Sequence, residues 1–219
     1  MVSTEPQLLE MLKLAAWQQA AIGVEAAGTV RRSLRIDDTP PPPIEPDRVL
    51  EGLLWRAPEQ QRRSQAQVAR DLVEKPSMNR RVHGVWAGTQ LLLSAAANVS
   101  KLLWPPGRDS SDHCEDLRAL LGVDGGWTLK NRELRDGFEH FGQKIVTWVA
   151  DHPGMPFSDS KILHSSELAS SDAQPIRTFV EDTFSVIFMG QSFELQPIEE
   201  ELNSIRDAAS PWAGTYLEA

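Results

Sequence analysis

The sequence predicts a mainly α-helical protein, a helical bundle followed by a small antiparallel β meander and a terminal helix. Apolar residues recur at helical spacing over most of its 219 residues. After residue 175 the pattern changes to short runs that are typical of β-strands. The apolar fraction of 41% and the charged fraction of 24% are ordinary for a globular chain, so we expect a packed core. This length suits one domain with an appendage, or two small domains.

Residues 1–39 are predicted to form an N-terminal helix that packs on the bundle. The run Thr4-Glu5-Pro6-Gln7 is typical of a helix start, and the apolar periodicity continues to the Arg31-Arg32 pair. Residues 40–46 contain four consecutive prolines, which favour an extended connector.

Residues 47–150 are predicted to form the bundle itself. Asp47 caps a second helix, and Glu59 to Glu74 is a polar stretch expected to form an exposed helix. The helix predicted from Asn79 to Trp104 is apolar nearly all round at its centre, so we expect it to be buried on most sides. A short helix over Asp112–Leu121 and a long one over Thr128–Ala150 complete this region.

Residues 151–219 are predicted to contain a loop, the meander and the last helix. Met155 to Gln174 is rich in Ser and Asp and is expected to be irregular. The predicted strands are Ile176–Val180, Phe184–Met189 and Ser192–Leu195. An amphipathic helix then opens at Pro197.

Charge and cysteine content narrow the function classes. The 31 acidic against 22 basic residues give a net charge of −9, which argues against a broad basic face for nucleic acid but leaves room for a local phosphate site. The single cysteine, Cys114, excludes an internal disulfide framework and a Cys-rich zinc module. With no secretory signal and no apolar run of about 20 residues, we expect a cytoplasmic protein without a membrane partner.

The most informative segment is the helix predicted around residues 131–141. One face of the predicted Thr128–Ala150 helix carries Leu134, Phe138, Phe141, Ile145 and Trp148, which are expected to contact the core. The other side carries Arg132, Arg135, Asp136, Glu139, His140 and Gln143. Asp136 and His140 are four residues apart, so the carboxylate can orient the imidazole. An ordinary solvated face, with salt bridges of about 0.2–0.5 kcal/mol each, is the alternative.

Gly137 lies inside this helix, where glycine costs about 1 kcal/mol relative to alanine. It indicates either the close approach of another backbone or a ligand, or a position where glycine is simply tolerated.

The run Arg135-Asp136-Gly137-Phe138-Glu139-His140 resembles the Arg-polar-x3-His motif of HEPN domains. The context is similar over Asp47 to Ala150: a buried helix ending at Trp104-Pro105, a short helix, then the motif helix. Members of that family are all-α bundles that commonly dimerise. In many of them the arginine and histidine of two protomers form a metal-independent ribonuclease site, often in toxins or phage-defence proteins, whereas others only bind nucleotides or partners.

A second run, Arg108-Asp109-Ser110-Ser111-Asp112-His113, fits the same string. It follows Pro105-Pro106-Gly107, so we expect a loop there and assign the site to the first run. Arg108 is still expected to face the site.

The resemblance implies a catalytic set of Arg135, Asp136 and His140, in which His140 acts as general base or acid, Arg135 neutralises charge and Asp136 holds the tautomer. Arg132, Glu139 and Arg108 are expected to bind substrate, with neither a metal nor another cofactor. The implied partners are RNA, a second copy of the chain, and an antitoxin or regulatory protein.

The spacing itself gives a physical reason for a dimer. In a continuous helix Arg135 and His140 lie about 140° apart, so one helix presents them poorly to a single target. A non-catalytic binding or scaffold module is the alternative function. A small-molecule enzyme using the bundle interior is a third, although no residue nominates its substrate.

Overall fold

The computed structural model describes residues 6–35, 76–105, 112–154, 157–170 and 174–217. The predictions for the Pro-rich connector, the helices over residues 47–75 and Arg108 lie outside these ranges. The helices are α1 (Pro6–Leu34), α2 (Pro76–Leu103), α3 (Asp112–Leu121), α4 (Glu133–Glu139), α5 (Phe141–Asp151) and α6 (Gln196–Leu217). The strands are β1 (Phe157–Ser158), β2 (Lys161–Leu163), β3 (Gln174–Pro175), β4 (Arg177–Val180), β5 (Ser185–Phe188) and β6 (Gln191–Glu194).

Helices α1 and α2 pack antiparallel through small residues. A Cβ added at Gly88 would lie 2.7 Å from Val30 Cγ2, and one at Gly23 would lie 3.2 Å from Ala95 Cβ. The backbones therefore approach more closely than larger side chains would allow. This contact forms much of the core, and the mainly helical fold class is confirmed.

Helix α6 lies against α1 on another side. A Cβ at Gly23 would lie 2.6 Å from Leu202 Cδ1, and Arg31 forms an ion pair with Glu199 at the start of α6. Helix α2 is buried on most sides at its centre, as its sequence predicts: Leu92, Leu93 and Ala95 to Ala97 are buried, while Leu91 is 49% exposed. In the part of the chain that the structure describes, no helix combines the length and apolarity needed to cross a bilayer.

The predicted antiparallel meander is present as β4-β5-β6, with Arg177 opposite Phe188 in the β4–β5 register. The region before it is more regular than predicted. Strand β2 pairs parallel with β4 and makes a four-stranded sheet, while β1 pairs parallel with β3. A 3-10 helix over Ser165–Ser170 lies between β2 and β3 in the chain.

The long helix predicted over Thr128–Ala150 is wrong in its continuity. A 3-10 turn over Thr128–Lys130 comes first, then extended backbone at Asn131, whose side-chain oxygen accepts from the Glu133 N–H at 2.9 Å. That local hydrogen bond competes with helix and starts α4 afresh. A second break falls at His140 (φ −103°, ψ 24°). Gly137 lies three residues before it and Gly142 two residues after it, and both weaken the helix.

Candidate functional site

Residues 128–151, which carry the motif and are called the motif segment below, are fixed at their beginning by two polar contacts. The Glu201 carboxylate of α6 accepts from the backbone N–H groups of Thr128 and Leu129 at 2.5 and 2.7 Å. Arg132 then donates from its guanidinium to the backbone carbonyl of Trp104 at the end of α2. Arg132, predicted to bind substrate, is therefore engaged in a contact that positions α4.

Phe188 of β5 anchors the segment on the sheet. Its ring centre lies 5.4 Å from that of Phe138 and 6.2 Å from that of Phe141, so one aromatic ring contacts both α4 and α5. A Cβ at Gly137 would lie 2.7 Å from Phe188 Cε1. The close approach indicated by Gly137 is thus made by an aromatic side chain of the sheet.

Arg177 of β4 holds the start of α5. Its guanidinium carbon lies 4.0 Å from the centre of the Phe141 ring and 5.3 Å from that of Trp86. Its Nε and Nη2 donate to the two Asp159 carboxylate oxygens at 2.8 and 2.6 Å. Burial raises the pKa of Asp159, but the Arg177 hydrogen bond and charge, together with Ser160, outweigh it and leave the pKa below its ordinary value.

Phe138 and Trp148 of the predicted core face are buried, and Phe141 and Ile145 are half-buried, which confirms that face for these four. On the polar side, Asp136 and His140 are exposed. The backbone N–H of His140 donates to the backbone carbonyl of Asp136 at 3.0 Å.

Among the other predicted site residues, Glu139 is exposed. Its Oε1 lies 3.6 Å from Lys101 Nζ in an ion pair. The Arg135 side chain lies outside what the structure describes, as does Arg108.

His140 lies at one end of an open groove between α5 and the β5–β6 turn. The groove has a volume of about 560 Å³, within the size range of small-ligand sites. Its lining residues are His140, Gln143, Lys144, Thr147, Trp148, Asp151 and Met189. The break at His140 makes this histidine the residue that immediately precedes α5, so the groove runs from the motif along that helix.

Lys144 lies one helical turn after His140 in the same groove and is not among the residues predicted from the sequence. Within the described ranges, neither side chain forms an ion pair, whereas Arg31, Arg81, Lys101 and Arg177 all do. An exposed lysine is common on any helix, so the residue type gives no signal. Only the groove and the one-turn spacing from His140 draw attention to it.

Across the described residues, no three His, Cys, Asp or Glu side chains come together in a group suited to holding a metal ion. Comparisons with protein-family models, with curated proteins and with solved structures find no match to the chain.

Proposed function

We propose that the protein is a HEPN-like ribonuclease that cleaves RNA without a metal, with its site in the groove at His140. The observation that carries this proposal is the position of His140: the histidine of the motif is exposed, forms no described ion pair, and lines an open groove together with a cationic Lys144. An imidazole with solvent access beside a cation suits acid–base chemistry on a phosphodiester.

The reaction follows from the chemistry of RNA. The 2′-hydroxyl attacks the adjacent phosphorus while an imidazole accepts its proton, and the bond from phosphorus to the 5′-oxygen breaks as that oxygen receives a proton. The products are a 2′,3′-cyclic phosphate and a 5′-hydroxyl, so no water, metal or oxidant enters the balance. His140 takes one of the two proton-transfer roles, which typically contributes about 10²–10⁴-fold in rate.

A second copy of the chain supplies the other proton-transfer group in this proposal. Two molecules related by a two-fold axis place two His140 side chains in one site. Because the helix breaks at His140, the separation of about 140° expected in a continuous helix does not apply to Arg135 and His140. The dimer is therefore proposed from the family resemblance and from the need for both a base and an acid.

The test is incubation of the purified chain with RNA in EDTA, comparing the wild type with His140→Ala and with His83→Ala as a matched control. His83 is also exposed, on α2 and outside the groove. We expect cleavage by the wild type and by His83→Ala, and a loss of about 10²–10⁴-fold in His140→Ala. Undiminished cleavage by His140→Ala contradicts the proposed site.

A non-catalytic binding module is the second candidate, and one observation favours it. Two residues predicted to bind substrate are engaged within the chain, Arg132 with the Trp104 carbonyl and Glu139 with Lys101. The net charge of −9 also opposes the approach of RNA. This candidate predicts ligand binding in the groove with no cleavage by any of the three proteins.

A further inference from the structure

We infer that the groove at His140 is a subsite for a single ribonucleotide whose base carries an amino group. His140 and Lys144 hold the phosphate and Asp151 accepts a hydrogen bond from the amino group. The inference rests on the proposed function for the class of ligand. It concerns binding by one chain, so its test is separate from cleavage.

The phosphate end follows from the two basic side chains. His140 immediately precedes α5 and Lys144 lies four residues later in its first turn; both line the groove, both are exposed, and neither forms an ion pair within the described part of the chain. Lys101 and Arg177 are paired with carboxylates, whereas Lys144, the one lysine or arginine among the described lining residues of the groove, is available to an anion.

The base end follows from Asp151. It lies seven residues after Lys144 and therefore about 10 Å further along the helix axis, a distance comparable with that from a nucleotide phosphate to the far edge of its base. Asp151 forms no described ion pair and lies in the last turn, where the helix dipole disfavours a negative charge. A carboxylate only accepts hydrogen bonds, so at position 4 of a pyrimidine it favours the amino donor of cytosine over the carbonyl acceptor of uracil.

The rest of the lining is of mixed character. It comprises the polar Gln143 and Thr147 and two apolar residues, Trp148, only 8% exposed, and Met189 at the tip of the β5–β6 hairpin. Met189 has φ 49° and is followed by Gly190 at φ 85°, a pair of left-handed residues in which asparagine is ordinarily preferred at the first position. A methionine that lines the groove in this conformation suits contact with the face of a base.

The test is a calorimetric titration of the full chain with cytidine 3′-monophosphate and, separately, with uridine 3′-monophosphate. The two probes differ at position 4 of the base, where cytosine carries an amino group and uracil a carbonyl. We expect the cytidine nucleotide to bind about tenfold or more tightly than the uridine nucleotide. Lys144→Ala weakens both by about tenfold or more. Lys130→Ala, which changes an exposed lysine outside the groove, leaves both affinities unchanged.

Asp151→Asn separates the roles within the groove. We expect it to abolish the preference for cytidine without weakening uridine, because the amide offers a donor as well as an acceptor. Equal affinity of the wild type for both probes, a preference that persists in Asp151→Asn, or an unchanged Lys144→Ala overturns the inference. Binding in the expected pattern without RNA cleavage supports the subsite and contradicts the ribonuclease, whereas cleavage without this pattern does the reverse.

Discussion

The guanidinium carbon of Arg177 lies 4.0 Å from the centre of the Phe141 ring, and Phe141 directly follows His140. Arg177 is held in turn by both oxygens of Asp159. The position of His140 therefore depends on a residue of the sheet that lies 37 positions later in the chain. Rearrangements of that sheet are expected to move the histidine, because Phe141 packs on Arg177 and is bonded directly to His140.

Replacing Asp159 by asparagine removes the charge from this contact. We expect a loss of about 1 kcal/mol in the free energy of unfolding at neutral pH. This is less than a fully buried charged hydrogen bond contributes, because the side chain is partly exposed. Since the folded state lowers the pKa of Asp159, its contribution is complete above the unfolded pKa and is lost as the pH falls through the lower folded value.

Urea unfolding at several pH values tests this dependence. The difference between wild type and Asp159→Asn is expected to shrink progressively below about pH 4. A difference that stays constant down to pH 2 would show that the carboxylate charge is not responsible.

Gly137 and Gly142 form a matched pair for the anchoring of the motif segment. A Cβ at Gly137 would lie 2.7 Å from a Phe188 ring held between Phe138 and Phe141, whereas nothing lies within 4 Å of a Cβ at Gly142. We expect Gly137→Ala to destabilise by about 1–3 kcal/mol and Gly142→Ala to stabilise by up to about 1 kcal/mol. Thermal unfolding of both variants tests the contrast, and stabilisation by Gly137→Ala would contradict the close packing.

The α1–α2 contact makes a similar prediction in the bundle. A Cβ at Gly88 would lie 2.7 Å from Val30 Cγ2 and 3.1 Å from the Ala26 carbonyl oxygen, so the backbone itself obstructs it. Gly88→Ala is expected to cost about 1–3 kcal/mol, while Gly28→Ala, whose Cβ would meet only the movable Arg32 side chain, is neutral or stabilising. Equal melting temperatures for the two variants would argue against close helix packing.

Met189→Asn tests the strained tip of the hairpin. Asparagine suits the left-handed conformation, which offsets the loss of the methionine's apolar contact, so we expect a change of less than about 1 kcal/mol in stability. Affinity for cytidine 3′-monophosphate is expected to fall, because the groove lining loses an apolar side chain. Unchanged affinity in a variant of normal stability would remove Met189 from the groove's function.

The helices and the meander are predictable because their signals are local. Apolar spacing identifies α1, α3 and α6, and β-branched and aromatic residues over 176–195 identify the antiparallel strands. Gly137 also gives a usable signal, since a glycine inside an amphipathic helix calls for a packing reason. Its contact, Phe188, lies 51 residues away and cannot be identified from the helix alone.

The breaks in the motif segment and the parallel strand pairs are not predictable in the same way. The apolar period continues through His140, so the apolar pattern does not mark the break there, and only the flanking Gly137 and Gly142 weaken the helix locally. Strands β1, β2 and β3 are two or three residues long, and their pairing depends on partners distant in sequence. Lys144 and Asp151 are missed because their importance comes only from the groove that they share.

The most direct test of the account is cleavage of an oligodeoxynucleotide that contains a single ribonucleotide, in EDTA, by the wild type and by His140→Ala. The account predicts that the wild type cuts only after the ribonucleotide and leaves a 2′,3′-cyclic phosphate, and that His140→Ala loses this activity by about 10²–10⁴-fold. Cleavage at deoxyribonucleotides, a 3′-hydroxyl end, or an equally active His140→Ala would contradict it.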